Sequence, residues 1–215
     1  MKLALIGSTG QVGSHLLDEA LRRGHAVTAL SRHPGKVAPR PGLTVAKADA
    51  YDAAQVAAAI AGHDAVLDAF NPGWGDPEIR ANFMKGTRAI LEGVKRAGLK
   101  RILVVGGAGS LFIAPGAQLV DTPGFPAEWK EGALGAREAL EAIKGETALD
   151  WTFLSPPVFL NLHGGERTGK YRLGGDEVLM DGDKPAGISV EDLAVAVLDE
   201  IEKPAHIRQR FTIGY

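Results

Sequence analysis

The chain has 215 residues, 45% of them hydrophobic, a formal net charge of -2 and no cysteine. A chain of this length can bury one core unaided, and the missing cysteine removes disulfides, thiolate metal sites and a cysteine nucleophile. The small net charge favours neither nucleic acid nor an anionic membrane surface as a partner. The first strand begins at residue 2 and no apolar run is long enough for a bilayer, so no leader, no membrane partner and a cytoplasmic location are expected.

Strand-like and helix-like segments alternate along most of the chain. Lys2–Ile6 is a short apolar run, then come Gly7, Ser8, Thr9, Gly10, Gln11, Val12 and Gly13, then a helical pattern over 14–23. Ala26–Leu30 and Leu43–Lys47 read as the next strands, separated by a proline- and glycine-rich loop over 34–42. An alanine-rich helix is expected over 52–60, with Asp52 near its cap, and a fourth strand over 64–68. The turn-dense loop 71–77 precedes a long helix over 78–97 that stops at Gly98. Arg101–Val105 is continuously apolar after its first residue, as a parallel strand covered on both faces should be.

A second loop spans 106–126, a helix 127–144 and a sixth strand 149–154. Alternation of this kind predicts an α/β fold of the Rossmann type: a doubly wound parallel sheet with helices on both faces. Residues 170–180 are expected to form a small extended excursion or hairpin. Ser189 with Asp192 resembles a capping box opening a helix to about Glu202, and 208–213 reads as a last strand. No repeat or linker marks a second unit, so one domain over 1–215 is expected.

The glycine-rich turn carries the first functional signal. Gly7 lets the chain leave the strand sharply, Gly10 clears space where a pyrophosphate meets the backbone, and Gly13 brings helix and sheet close. Free amides at the helix start then face negative charge. A tight turn that binds nothing is the competing reading; the position between strand and helix favours a nucleotide. The acidic residue that holds a ribose 2′-hydroxyl in many NAD sites is missing, because no Asp or Glu occurs between Glu19 and Asp49. Arg32, Lys36 and Arg40 occupy that stretch, and a guanidinium grips a 2′-phosphate with paired bonds. NADP(H) is therefore the expected cofactor, with NAD(H) possible.

Asp49 stands where a carboxylate accepts from an adenine amino group, or merely closes a loop. Ligands of such sheets lie outside the carboxyl strand ends, which places Phe70, Asn71, Gly106, Gly107, Ser155, Pro156 and Pro157 around one crevice. Trp74, Phe112 and Trp129 fall in loops expected to roof it, where aromatic faces stack on a planar substrate or pack the loops down.

Gly7 to Gly13, Arg32, the segment Val104–Ser110 and the run Gly165-Glu-Arg-Thr-Gly-Lys-Tyr-Arg172 together resemble the atypical short-chain dehydrogenase/reductases. Within them the chain is similar to the small NAD(P)H-binding group labelled NADH-flavin reductases, related to NmrA-like proteins and to biliverdin-IXβ/flavin reductase. The resemblance implies a Rossmann fold, a nicotinamide cofactor and a small-molecule redox substrate. It also makes Ser110, after the fifth strand, the candidate catalytic residue; the alternative is a serine satisfying a turn amide.

The Tyr-x-x-x-Lys pair of typical short-chain reductases is absent: Gln55 and Gly175 stand four residues after Tyr51 and Tyr171, and Tyr215 is last. Reduction of an unactivated ketone then lacks its proton donor. Flavin or quinone reduction is less demanding, since delocalised charge lets solvent supply the proton. A redox-sensing regulator that binds NADP(H) without chemistry is the alternative; a sugar-nucleotide epimerase or dehydratase stands last. His163 is a lone loop histidine, Lys130 a surface charge beside Trp129, and no spacing suits a metal.

Overall fold

The computed structural model describes residues 1–215. Eight strands make one sheet: β1 (Lys2–Ile6), β2 (Ala26–Ser31), β3 (Leu43–Lys47), β4 (Ala65–Asp68), β5 (Arg101–Val105), β6 (Asp150–Ser155), β7 (Arg172–Gly174) and β8 (Gln209–Gly214). Their spatial order is β7-β8-β6-β5-β4-β1-β2-β3, parallel throughout except for the antiparallel edge strand β7. Strand order reverses between β1 and β4, so the carboxyl ends of these two strands diverge into a crevice.

The helices are α1 (Gln11–Arg22), α2 (Ala53–Ile60), α3 (Ile79–Arg96), α4 (Ala127–Lys144) and α5 (Val190–Glu202). α1 and α5 pack together on one face, while α2, α3 and α4 line up on the other. Side-chain alternation explains how one strand serves both layers. Leu3 and Leu5 of β1 enter the core beneath α1 and α5 with Leu16, Leu193 and Val197. Ala4 and Ile6 enter the opposite core with Val56, Ile90 and Leu140.

The expected elements are present with shifted ends. α1 starts at Gln11 rather than Ser14, because Gly10 in extended geometry is already its cap. The Asp52 side chain accepts from the amides of Ala54 and Gln55, and Ser189 accepts from the Asp192 amide. Arg208 takes a positive φ of 57°, so the last strand begins after it. The excursion expected over 170–180 is extended but is not a hairpin of its own. Residues 172–174 instead pair with β8, the segment at Asp176–Val178 bonds to Phe112, and the hairpin lies at Met180–Asp181 with Lys184–Pro185. An edge backbone gains more bonds from an open sheet than from an isolated ribbon. The loop over 106–126 likewise contains a small ribbon, Phe112–Ala114 with Ala117–Gln118.

Candidate nucleotide-binding site

Gly7 leaves β1 with φ of 80°, and a side chain there would bring its Cβ within 2.4 Å of the Ala69 carbonyl oxygen. The Gly10 amide closes the turn on the Gly7 oxygen at 2.9 Å. No side chain caps α1 at Gly10, and its first turn holds no acidic residue. The first helical bond runs from the Ser14 amide to the Gly10 oxygen, leaving the amides of Gln11, Val12 and Gly13 without a protein acceptor. A Cβ at Gly13 would lie 2.0 Å from the Gly7 oxygen, so helix and turn touch backbone to backbone. Thr9, Gly10 and Gln11 are exposed, and the buried Ser8 hydroxyl has no partner. An uncapped, acid-free helix start behind a glycine-rich turn fits a diphosphate.

On the β2 side of the crevice, Arg32 is exposed and bonds to no protein group. Lys36 is also exposed, whereas Arg40 is paired with Asp18. Asp49 accepts its neighbour Tyr51's amide at 3.0 Å, so at least one oxygen closes a loop. Phe70 is half-buried beside Tyr51, with ring centroids 5.5 Å apart. Asn71 is exposed and accepts the Gly73 amide at 2.8 Å. Beneath Phe70 lies a group that sequence reading missed. Asp68 is buried at the end of β4, accepts only the Phe70 amide, and burial pushes its carboxyl up to about 7. A lone acid closing an apolar strand was its signal; Tyr51, also missed, had none beyond following Asp49.

Around β5 and β6, Gly106 and Gly107 are half-buried, and a Cβ at Gly106 would collide with the Phe153 ring at 2.0 Å. Ser110 is only 2% exposed, and its hydroxyl accepts from Arg210 at 3.3 Å. Ser155 is 0% exposed, and Pro156 and Pro157 are buried. Ser110, Ser155 and the two prolines lie beneath the crevice, the Ser110 hydroxyl engaged by Arg210, while Gly106 and Gly107 keep partial exposure. Phe112 is half-buried and held through backbone bonds to Asp176 and Val178.

The two tryptophans differ from Phe112. Trp74 is 56% and Trp129 52% exposed. Trp74 lies against Gly132, where a Cβ would meet its ring at 2.5 Å, and Gly132 shares a face of α4 with Trp129. His163 and Lys130 are exposed and their side chains bond to nothing.

The distinctive run at 165–172 is a clasp. Arg167 bonds to buried Glu19 of α1, Thr168 and Gly169 bond to Asp192 of α5, and the Tyr171 hydroxyl donates to Asp199 at 2.7 Å. Burial and Asp199 push the Tyr171 phenol well above its ordinary range, so it is a structural donor.

A family model described as NAD(P)H-binding matches residues 7–204. The chain belongs to this NAD(P)H-binding family. Among relatives, the uncharacterized Bacillus subtilis protein YwnB is 39% identical over 215 residues, 99% of this chain and 98% of its own. A Bacteroides thetaiotaomicron structure provisionally named an epimerase is 45% identical with TM-score 0.92, covering 100% of this chain and 96% of that one. A Streptococcus pneumoniae structure provisionally named an NADH-flavin reductase is 35% identical with TM-score 0.86, covering 100% and 99%. The family match covers the glycine turn, Arg32 and the tops of β4, β5 and β6, so the crevice described here lies within the NAD(P)H-binding unit. No helix is long and apolar enough to cross a membrane.

Proposed function

We propose that the protein is an NAD(P)H-dependent reductase that passes hydride to a planar acceptor of the flavin or quinone type, with NADPH as the preferred donor. The carrying observation is the uncapped, acid-free amino end of α1 behind the glycine turn, at the point where strand order reverses. The reduced nicotinamide, when bound, supplies the hydride. The amides of Gln11, Val12 and Gly13 hold the diphosphate. Arg32, free of any protein carboxylate, favours a 2′-phosphate over a bare hydroxyl. Gly106 and Gly107 let a ring approach the backbone, and the Trp74 and Trp129 faces align a flat acceptor against it.

The general acid of a Tyr-x-x-x-Lys pair is missing, so an acceptor that spreads its charge and takes its proton from solvent fits best. This disfavours the epimerase reading: the Tyr171 hydroxyl donates to Asp199 and that of Tyr215 to Asp192, so neither phenol is free as a donor. The same lack of an acid favours one rival, a regulator that binds NADP(H) and does no chemistry. Turnover separates the two. NADPH and NADH oxidation is followed with added FMN, FAD and a naphthoquinone, for the natural chain and for Arg32→Ala. The reductase reading expects acceptor-dependent oxidation, with NADPH use in the variant reduced about tenfold and NADH use little changed. Binding without oxidation of any acceptor would favour the regulator; binding of neither nucleotide removes both readings.

A further inference from the structure

We propose that Tyr51 is a specificity-determining residue of the nucleotide site, donating its hydroxyl, beside Arg32 and Lys85, to a phosphate on the adenosine ribose. The inference rests on the nucleotide reading above and deepens it.

Tyr51 follows β3, yet its ring meets Phe70 at the end of β4 edge-on, with centroids 5.5 Å apart and an interplanar angle of 87°. In the sheet, β2 and β1 stand between β3 and β4. The segment from β3 to Tyr51 therefore crosses beside the carboxyl ends of β2 and β1, next to the glycine turn. Lys85 of α3 sits over the ring, its ammonium 5.3 Å from the centroid. With Phe70 along one side and Lys85 over a face, the hydroxyl is what the ring has left to offer, and it bonds to no protein group.

The charged groups around it sort by their commitments. Asp49 holds the Tyr51 amide, and Asp76 holds the Glu78 amide and the Asn82 side chain, each at 2.8 Å. Arg32 and Lys85 have no carboxylate partner. Burial and the nearby Asp76 push the phenol up, so it remains a donor at neutral pH. Two cations without carboxylate partners stand near a neutral donor, while the neighbouring Asp49 and Asp76 are tied to loop amides; the cations fit a doubly charged phosphate. A ribose 2′-hydroxyl would leave both cations unmatched.

The test is calorimetric titration of the full chain and its Tyr51→Phe variant with NADPH, NADH, adenosine 2′,5′-bisphosphate and ADP. Phenylalanine keeps the contacts to Phe70 and Lys85, so an unchanged melting temperature is expected. Loss of one hydrogen bond should weaken the two 2′-phosphate ligands about fivefold and leave the other two within about twofold. Lys85→Met should weaken the same pair. Equal weakening of all four ligands, or of none, overturns the proposal while the nucleotide reading stands. A natural chain that binds NADH and ADP as tightly as their phosphorylated counterparts overturns it too. A chain that binds none of the four removes both.

Discussion

Two glycines of the same turn should fail in opposite ways when a methyl group is added. At Gly10 the backbone lies at φ of -79°, open to alanine, and the nearest atom to a Cβ is the Gly7 oxygen at 3.3 Å. Alanine is a poorer helix cap than glycine by less than about 1 kcal/mol, worth no more than about 4 °C in a domain of this size. The methyl nevertheless stands at the exposed amino end of α1, where a diphosphate must close on the amides. The NADPH dissociation constant of Gly10→Ala should rise at least about tenfold, or about 1.4 kcal/mol. At Gly13 the Cβ would stand 2.0 Å from the Gly7 oxygen, a backbone atom, and so about 1 Å inside the 3.0 Å that real contacts respect. Helix or turn must move, at a cost of about 1–3 kcal/mol or more, and melting should fall by several degrees even without ligand. Thermal melting with and without NADPH reads both effects, since ligand at a hundredfold excess over its dissociation constant adds about 2.7 kcal/mol. A Gly10→Ala protein that keeps the full ligand-induced rise refutes the cradle. A Gly13→Ala protein that melts like the parent refutes the close packing.

Glu19 offers a stability test away from the crevice. It is 1% exposed; burial pushes its carboxyl up, but Arg167 and Arg23 outweigh this and hold it at about 2. A folded value below the unfolded one means the stabilisation is present above about 4.5 and is lost as pH falls toward 2. Glu19→Gln should cost about 2–3 kcal/mol at pH 7, seen by urea unfolding, and the gap to the parent should shrink at pH 3. Asp68 has the opposite sign. With its folded value near 7 against 3.8, its charge destabilises increasingly as pH rises through that window and fully above it. Asp68→Asn keeps the bond from the Phe70 amide and should stabilise by up to about 4 kcal/mol at pH 8 and little at pH 4; equal melting curves at pH 8 would contradict a buried, unpaired carboxyl. Trp129→Ala should raise the acceptor KM about three- to tenfold without altering NADPH affinity, measured by steady-state oxidation and titration.

The sheet was legible because its strands are short apolar runs separated by helices of the right period, and both layers draw on alternate residues of the same strand. The glycine turn was legible because each glycine answers a local demand of backbone on backbone. What escaped was whatever depends on a distant partner. Ser110 looks free in sequence, yet Arg210, a hundred positions on, takes its hydroxyl. Tyr51 looks unremarkable until β3 is seen returning across β2 and β1 to Phe70. The pairing partner of the excursion after residue 170 was not legible, because partners compete and the open edge of β8 won.

The run at 165–172 has the look of a catalytic motif: two glycines, two arginines, a tyrosine and a lysine within eight positions. The Arg167, Thr168 and Tyr171 side chains are spent on structural contacts. Arg167 ends on α1 and Thr168, Gly169 and Tyr171 end on α5, so the run joins the helix that opens behind the glycine turn to the helix that leads into β8. An amide cluster stabilises an anion only if it is held in place before the anion arrives, because reorganisation would consume the electrostatic gain. α1 is fixed at its start by backbone contact with Gly7 and further along by Glu19, which the clasp grips from outside. If α1 holds a diphosphate as proposed, the motif would serve that site through rigidity. Loss of Glu19 should accordingly weaken NADPH and NADH alike, the pattern opposite to that expected at Arg32.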